Sequence, residues 1–437
     1  MATPFVSGTR TVLIMGGSYG GIAAAKFLSK EIPEGYRMVL LERNRQVFPY
    51  LYVLPRFSVL GSHEYKACTH PLQSPLRPHA RITPGRPRHR NQTRAEPVVY
   101  TPASYASTTP SPQTIEFDYL IYALGAKLPG PIDFWGAKSV YDQKVNLEAE
   151  KAQAGFNGTK PASIEFLQRA QKRLKEAESV LVVGGGALGI QFATDLKDLY
   201  SNKNITLLHS RMQLLPRFSE KVHDEINATM HKLNVNLILG QRLDLKSTLP
   251  ENAEYDEQGR RVVKTEQGKR ICADLVLLCT GQVPNTGLMR DLAPHAVDEK
   301  TGMVKVLRTM QVDLADSQFI NQASEEQGQG RSNLPHIYAI GDAADAFGAI
   351  NAGIQLIGSP SQAEVAAKNI LATIRSEPLT SYEPGPPAIK ITLGLRHRAT
   401  IMGPEQTLTV GDDGKDDLDA PGMWPYVGAD FEKDQDL

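Results

Sequence analysis

Three short motifs carry residues whose types and spacing suit the binding of a phosphorylated cofactor. The first, MGGSYGG, follows the apolar run TVLI and precedes a helix of small residues. Its glycines allow a tight turn and a close approach of the backbone to a pyrophosphate, which the helix N-terminus would hold. Glu42 ends the next apolar run twenty-one residues after Gly21 and can accept hydrogen bonds from an adenosine ribose. Although Ser18 replaces the middle glycine, the motif predicts a dinucleotide site.

The second motif, VVGGGALG, places Gly184, Gly186 and Gly189 at the full G-x-G-x-x-G spacing between a strand and a helix. The strand after it ends in HSR (residues 209–211), where an NADH-specific site would carry an acid. Without that acid a 2′-phosphate meets no repulsion, and Arg211 either pairs with the phosphate or faces solvent. We expect a nicotinamide dinucleotide here and favour NADPH over NADH.

The third motif, IYAIGDAAD, ends an apolar strand of residues 337–340 in Gly341 and Asp342. Open α/β sheets bind ligands at the carboxyl ends of their strands, where a carboxylate can accept hydrogen bonds from the ribityl hydroxyls of a flavin. Asp342 could instead cap a helix that begins at Ala343. The two preceding motifs favour the ligand-binding role.

The elements that position these motifs alternate short apolar runs with helical stretches, a pattern typical of βαβ units and a parallel sheet. One unit begins at residue 11 and a second at residue 179. The amphipathic helix SIEFLQRAQKRLKEAES, with Ser163 as its N-cap, precedes the second unit. Two such starts in one chain predict two related dinucleotide-binding domains.

Length and composition set the class of protein. The chain has 437 residues, enough for two to four domains, and its 41% apolar content is that of a globular protein. Its 48 basic and 48 acidic side chains cancel, so the net charge attracts neither nucleic acid nor anionic lipid, and no nucleic-acid partner is expected. No apolar run approaches the roughly 20 residues of a membrane-spanning helix, so a transmembrane segment is excluded.

A basic segment lies between the starts of the two predicted βαβ units. Residues 66–95 have no acid and contain Lys66 together with Arg77, Arg81, Arg86, Arg88, Arg90 and Arg94. Such a segment could bind an anion or nucleic acid, but without hydrophobic periodicity it is interpreted as a solvated loop. Residues 101–114 continue it as a Ser/Thr/Pro-rich loop. The acidic tail from Gly411 is interpreted as a surface strand or a disordered end.

The cysteines and the N-terminal sequence indicate the compartment. Cys68, Cys272 and Cys279 form neither a disulfide framework nor a metal-ligand pattern, so no metal site is expected. Cys272 and Cys279 lie in or beside the apolar run ICADLVLLCTG and are interpreted as small buried hydrophobes. The sequence MATPFVSGTR carries no signal peptide, presequence or lipid-anchor pattern. We therefore expect an intracellular, cytoplasmic protein.

The order of the three motifs, with FDYLIYALG before the second and DLVLLCTGQVPN after it, resembles the two-dinucleotide-binding-domain flavoproteins. Within them the chain is similar to fungal-type members of the apoptosis-inducing-factor-like and ferroptosis-suppressor-like FAD-dependent pyridine nucleotide oxidoreductases. The resemblance spans Thr11 to about Gly403, with further local similarity in LYVLPRFSVLGSHEYKA and LHSRMQLLPRFSEK. It departs at Leu124, where the family usually has threonine, and across Pro71–Pro112, which does not resemble the expected strands.

This resemblance implies FAD as the cofactor and NAD(P)H as the co-substrate. The residues it assigns to FAD are Gly16, Gly17, Ser18, Tyr19, Gly20, Gly21, Glu42, Arg43, Gly125, Gly341, Asp342, Gln362 and Ala363. Those it assigns to NAD(P)H are Gly184, Gly186, Ala187, Leu188, Gly189, Arg211 and Gly281. Gln362 and Ala363 would open a helix whose N-terminus faces the pyrimidine edge of the flavin. Flavin N5 would receive the hydride, and no catalytic side chain is assigned.

The implied fold is α/β, with two Rossmann-like dinucleotide-binding domains and a small C-terminal α+β segment. The FAD domain would comprise residues 1–143 and 287–373. The NAD(P)H domain, residues 144–286, would be inserted within it. The C-terminal segment, residues 374–437, is expected to cover the flavin and to shape the acceptor site.

The implied function is transfer of a hydride from NAD(P)H to flavin and of two electrons to a small acceptor, by resemblance a quinone. The sequence has no CxxC or CxxxxC pair to relay electrons to a disulfide. Two alternatives stay open: a tailoring oxidoreductase acting on a biosynthetic intermediate, and a flavin-stabilised binding protein using the basic segment Arg77–Arg94. Peripheral membrane contact and a homodimer are both compatible with the sequence.

Overall fold

The computed structural model describes residues 9–42, 46–47, 70–71, 76–82, 96–102, 111–127, 168, 170–314, 333–348, 361–412 and 430. These residues form two compact units, and each is interrupted in sequence by the other. The first unit comprises the described residues within Met1–Val47, Leu72–Ala126 and Pro284–Gly385. The second comprises those within Phe48–Pro71, Lys127–Val283 and Pro386–Leu437.

The strands and helices are numbered in chain order. The strands are β1 (Arg10–Met15), β2 (Tyr36–Leu41), β3 (Gln46–Val47), β4 (His70–Pro71), β5 (Leu76–Ile82), β6 (Glu96–Pro102), β7 (Gln113–Phe117), β8 (Tyr119–Tyr122), β9 (Ala126–Lys127), β10 (Ser179–Val183), β11 (Asn204–Leu208), β12 (Asn236–Ile238), β13 (Glu254–Tyr255), β14 (Arg261–Lys264), β15 (Arg270–Ala273), β16 (Leu275–Leu278), β17 (Val283–Pro284), β18 (Val304–Lys305), β19 (Gln311–Asp313), β20 (Asn333–Ala339), β21 (Ala344–Asp345), β22 (Ile389–Thr392), β23 (His397–Met402) and β24 (Thr407–Asp412). The α-helices are α1 (Tyr19–Glu31), α2 (Ala187–Leu199), α3 (Glu220–Lys232), α4 (Gly287–Leu292) and α5 (Gln362–Arg375). Short 3-10 helices span Leu245–Thr248, Pro250–Asn252, Pro294–Ala296 and Gly341–Ala343.

The first unit is built on a five-stranded sheet in the order β19-β20-β8-β1-β2. All neighbours in it are parallel except β19, which runs antiparallel to β20. Val12, Leu13 and Ile14 of β1 are all fully buried, so both faces of the sheet are covered, as in an α/β fold. Leu28 of α1 and Ile370 of α5 belong to the same core. The predicted α/β fold with a parallel sheet is confirmed for this unit.

A second, antiparallel sheet of the first unit has the order β5-β6-β7. The interpretation of residues 66–95 as a loop is therefore wrong for Leu76–Ile82. Both β5 and β6 lie within Pro71–Pro112, the stretch whose sequence does not resemble the strands expected there. The register of β5 on β6 shifts between Arg77 and Arg81. Such an irregularity breaks the period-two alternation by which a strand is recognised in a sequence. The rest of that basic segment, apart from β4, lies outside the described residues.

The second unit is built on a four-stranded parallel sheet in the order β12-β11-β10-β16. Every residue of β10 is buried, and α2 buries every residue from Gly189 to Leu196. A helix that is buried all round is covered on more than one side. Residues 170–176 before β10 are helical, as predicted, while Ser163 lies outside the described residues. The second predicted Rossmann-like sheet is thus confirmed.

The C-terminal strands complete the core of the second unit. They form an antiparallel sheet, β22-β23-β24, and their residues Ile391, Ala399 and Ile401 share a hydrophobic core with Ile190 of α2. The side chain of Gln191 donates to the Thr392 hydroxyl at 3.2 Å, and the Leu395 amide donates to an Asp198 carboxylate oxygen at 2.7 Å. Gly411 and Asp412 end β24, and most of the acidic tail lies outside the described residues. The expected cover over the flavin stays a prediction.

No described helix has the length and hydropathy needed to cross a bilayer. The longest, α5, has 14 residues, whereas a spanning helix needs about 20.

The packing of the C-terminal sheet is testable by truncating Ile401, whose side chain is fully buried. We expect Ile401→Ala to lower the free energy of unfolding of the second unit by about 2–5 kcal/mol, because it removes buried methyl groups and leaves a cavity. The matched control is Val410→Ala on the same sheet, which is 36% exposed and should change stability by less than about 0.5 kcal/mol. Urea unfolding of both variants measures this. Equal effects would contradict the packing.

Candidate functional site

The first glycine loop connects β1 to α1 in a tightly packed turn. Gly16 has φ +103°, and a Cβ there would overlap the carbonyl oxygen of Ala123. A Cβ at Gly21 would overlap the carbonyl oxygen of Gly16, so both positions require glycine. Ser18 is the N-cap residue of α1, is exposed, and makes no side-chain capping hydrogen bond. The serine in place of the middle glycine is therefore accommodated at an open position of the loop.

Glu42 lies beside this loop, as the spacing predicted. The Gly17 amide donates to its carboxylate Oε2 at 2.5 Å, and the Gly16 amide donates to the Leu41 carbonyl at 2.9 Å. The acid is thus held at the carboxyl end of β2 by the backbone of the glycine loop. Arg43 lies outside the described residues.

The turn after β8 forms although Leu124 replaces the usual threonine. Asn285 holds it with two hydrogen bonds, since its amide donates to the Gly125 carbonyl and its side chain donates to the Leu124 carbonyl, each at 2.9 Å. The Tyr122 hydroxyl donates to the Asn285 carbonyl at 2.6 Å, and Gly125 has φ +60°. Because these bonds use the backbone at position 124, the turn does not depend on a threonine hydroxyl.

Asp342 lies in the 3-10 turn that follows β20. Burial alone raises the pKa of its carboxyl group to about 6, so no described donor compensates the charge. The amide of the preceding Gly341 donates at 2.8 Å to Oε1 of Gln362, the first residue of α5. Gln362 and Ala363 are both buried, and the Ser361 hydroxyl caps α5 by accepting from the Glu364 amide at 3.1 Å. The helix N-terminus is thereby tied to the aspartate turn.

These features gather at one edge of the first sheet. The strands β2, β1, β8 and β20 are parallel neighbours, so their carboxyl ends present Glu42, the Gly16 loop, Gly125 and Asp342 along the same edge. A glycine loop at a helix N-terminus suits a pyrophosphate, and the half-buried Asp342 carboxylate, which has no donor among the described residues, suits a ligand with hydroxyl groups. The residues present therefore fit FAD.

The second glycine loop repeats the geometry of the first. Gly184 has φ +122°, and a Cβ there would overlap the carbonyl oxygen of Cys279. A Cβ at Gly189 would overlap the carbonyl oxygen of Gly184, whereas Gly186 has no atom within 4 Å of its Cβ position. The open side of the loop at Gly186 leaves room for a pyrophosphate against the N-terminus of α2. Ala187 and Leu188, half-buried, form the first turn of that helix.

His209 is a site residue whose role the sequence analysis missed. The Gly185 amide donates to its Nδ1 at 3.1 Å, and its Nε2 lies 3.2 Å from the Gln213 carbonyl. Burial, together with the positive charge of Arg211, lowers the pKa of the imidazole. Its position twenty residues after Gly189 was the signal available in the sequence. Arg211 is exposed two residues further on, and Gly281, with φ +117°, follows β16 at the same sheet edge.

Of the two cysteines expected to be buried, Cys279 is buried and Cys272 is only partly buried. Cys279 is buried, and burial raises the pKa of its thiol well above the ordinary range. Cys272 is partly buried in β15, both thiols are free, and Cys68 lies outside the described residues. In the part of the chain that the structure describes, no group of three His, Cys, Asp or Glu side chains is placed to hold a metal ion.

Comparisons with known proteins agree with this architecture. The sequence profile of the family described as Pyridine nucleotide-disulphide oxidoreductase matches residues 10–369. Fe-regulated protein 8 of Mycosarcoma maydis is 37% identical over 437 residues, covering 96% of this chain and 95% of that protein. Ferroptosis suppressor protein 1 of Mus musculus is 27% identical over 286 residues, covering 64% of this chain and 63% of that protein. The chain thus spans just under two thirds of the suppressor protein's length.

Among solved structures, the water-forming NADH oxidase from Lactobacillus brevis bound to NADH superposes with a TM-score of 0.55 at 16% identity. The match covers 90% of this chain and 76% of the oxidase, and it establishes a shared fold. Fold, glycine loops and family profile agree, and the predicted resemblance is confirmed. The chain therefore belongs to the pyridine nucleotide-disulphide oxidoreductase family and is an FAD-dependent oxidoreductase that uses NAD(P)H.

Proposed function

We propose that this protein is an NAD(P)H:quinone-type oxidoreductase. FAD would bind along the edge of the first sheet that carries the Gly16 loop, Glu42 and Asp342. NAD(P)H would bind at the Gly184 loop of the second unit. When bound, FAD supplies the chemistry of accepting a hydride from NAD(P)H and of returning two electrons to an acceptor. The observation that carries the proposal is the half-buried, uncompensated carboxylate of Asp342 on the same sheet edge as the glycine loop.

The cysteines support a small acceptor rather than a protein disulfide relay. The sequence has three cysteines and no CxxC or CxxxxC pair. Cys279 is buried with a raised pKa, so its thiol is poorly suited to nucleophilic attack. Electrons must therefore pass directly from the cofactor to an acceptor, and the family resemblance implies a quinone. The side chains of this chain would bind and orient the two substrates and exclude water from them.

An anaerobic titration tests the proposed function directly. Addition of NADPH or NADH to the purified protein should bleach a flavin absorbance band at about 450 nm, and a soluble benzoquinone should restore it. Bleaching without recovery on addition of several quinones would contradict a quinone acceptor and favour another small substrate. A flavin band that neither coenzyme bleaches would contradict the NAD(P)H reductase function altogether.

Removing the Asp342 carboxylate should lower the affinity for FAD and, at pH 8, raise the thermal stability of the FAD-free protein. We expect Asp342→Ala to purify with much less FAD than the wild type, because the acceptor for flavin hydroxyls is lost. The FAD-free variant should melt at a higher temperature than FAD-free wild type at pH 8, and by a smaller margin at pH 5. The reason is that a carboxyl group with a raised folded-state pKa loses its contribution to stability as pH rises through about 6. Flavin absorbance and thermal melts measure both effects.

The control for this experiment is Asp345→Ala, since Asp345 is an exposed carboxylate three residues away. Its FAD content should equal that of the wild type. An Asp342→Ala protein with a full complement of FAD would contradict the assigned contact.

Removing Arg211 tests the preference for NADPH. We expect Arg211→Ala to raise KM for NADPH about tenfold and to leave KM for NADH nearly unchanged, because only NADPH carries a 2′-phosphate for the guanidinium to bind. Arg217→Ala is the matched control, since Arg217 is exposed on the same connection after β11. Steady-state kinetics with both coenzymes measures the effect. Equal changes in both KM values would refute the phosphate contact.

A further inference from the structure

We propose that His209 determines which nicotinamide coenzyme the second unit accepts. Its uncharged imidazole accepts a hydrogen bond from the glycine loop, at the position where a carboxylate does so in the first unit. The imidazole would thereby keep negative charge away from the 2′-phosphate of NADPH. His209 acts here by holding the loop and by carrying no charge, as a positioning residue. This inference rests on the proposed function, since it assumes that the second unit binds NAD(P)H.

The two units provide an internal comparison for His209. Met15 pairs with Leu41 in the first sheet, and Val183 pairs with Leu208 in the second. The first glycine amide of each loop then donates to the last carbonyl of the neighbouring strand, at 2.9 Å in the first unit and 2.8 Å in the second. The next residues along those strands are therefore equivalent, and His209 occupies the position that an acid occupies in the first unit.

The same hydrogen bond is made at this position in both units, with a different acceptor. In the first unit, the Gly17 amide donates to a carboxylate oxygen of Glu42 at 2.5 Å. In the second, the Gly185 amide donates to His209 Nδ1 at 3.1 Å. The bond that positions the loop is thus retained while the formal negative charge is absent.

The hydrogen bonds of His209 define its protonation. Because the Gly185 amide is a donor, Nδ1 must carry no proton, and the proton on Nε2 points to the Gln213 carbonyl at 3.2 Å. Burial opposes a second proton on the ring, and so does the positive charge of Arg211; together they outweigh the hydrogen bond to the Gln213 carbonyl, so the pKa of the imidazole is lowered. The imidazole is therefore neutral at pH 7.

The connection after β11 is shaped around this contact. The Leu215 amide donates to the Gly185 carbonyl at 2.9 Å, so Gly185 is held on both sides by the segment that begins at His209. Leu215 has φ +45°, a left-handed conformation that costs energy for a residue with a Cβ. A Cβ on Gly185 would lie 2.7 Å from the imidazole ring. The ring is thus packed directly against the loop that would bind the pyrophosphate.

The charge at this position bears on the choice of coenzyme. In dinucleotide-binding units, an acid at the end of the second strand hydrogen-bonds the ribose 2′-hydroxyl of NADH and repels the 2′-phosphate of NADPH. An imidazole that holds the loop without charge removes this repulsion. Arg211, exposed two residues further along, leaves a positive charge on the same connection.

An isosteric pair of variants isolates the charge. His209→Asn and His209→Asp both place an oxygen where Nδ1 accepts from Gly185, and they differ only in charge. We expect the Kd of NADP⁺ to be at least about tenfold higher for His209→Asp than for His209→Asn, because the carboxylate would lie near the 2′-phosphate. The Kd of NAD⁺ should be equal in the two variants or lower for His209→Asp. Calorimetry on the FAD-loaded proteins measures both constants, and KM for NADPH and NADH should follow the same pattern.

Further variants separate positioning from folding. His209→Leu, which offers no acceptor to the Gly185 amide, should bind both coenzymes more weakly than His209→Asn. His231→Asp, on the exposed surface of α3, should leave both Kd values at those of the wild type. If His209→Asp fails to fold, Ser210→Asp introduces a carboxylate at the next residue with the Gly185 contact intact, and the same selective loss of NADP⁺ affinity is expected.

Two outcomes would overturn the inference, and they are distinguishable. If wild type binds the coenzymes but the aspartate and asparagine variants bind NADP⁺ and NAD⁺ in the same ratio, His209 has a structural role alone and the proposed function stands. If the wild-type holoenzyme binds neither coenzyme, the proposed function fails and the inference fails with it.

Discussion

Both dinucleotide units depend on one constraint, the packing of a glycine directly against a carbonyl oxygen that follows a neighbouring strand. Gly16 packs on Ala123 in the first unit and Gly184 packs on Cys279 in the second, each with a positive φ. No other residue type fits, since a Cβ would overlap the oxygen. This close approach turns the chain so that the next amide points at the side chain ending the adjacent strand. That side chain is a carboxylate in the first unit and an imidazole in the second. The two loops are otherwise similar, so they differ mainly in the charge of this side chain.

Much of this arrangement follows from local sequence. A buried strand, a glycine turn and a helix of small residues are all encoded within about twenty residues, so both loops and the position of Glu42 were predictable. The C-terminal strands β22 and β23 were also predictable from their apolar residues and flanking turns. The strand Leu76–Ile82 was not, because its irregular register on β6 and its content of arginine and proline conceal the alternation expected of a strand.

The features that sequence reasoning missed involve long-range contacts. Asn285 supports the Leu124 turn from 161 residues away, so a departure from the family pattern at residue 124 could not be judged from its neighbours. The role of His209 depends on which way its ring faces and on the amide it meets, neither of which is visible as a pattern. The sequence shows that no acid directly follows β11. Only the structure shows that the His209 imidazole accepts the hydrogen bond that an acid accepts in the first unit.

The order in which the chain contributes to its two cores has a consequence for biosynthesis. The core of the second unit includes Ile391, Ala399 and Ile401. These residues lie on strands that come later in the sequence than the last segment of the first unit. The ribosome adds about 5–20 residues per second, so the sheet around β10 emerges several seconds before these strands. During that interval α2 has an uncovered apolar face, and the first unit likewise awaits α5. Neither unit can finish folding as its first strands emerge, and the apolar surface exposed during that interval is prone to aggregation.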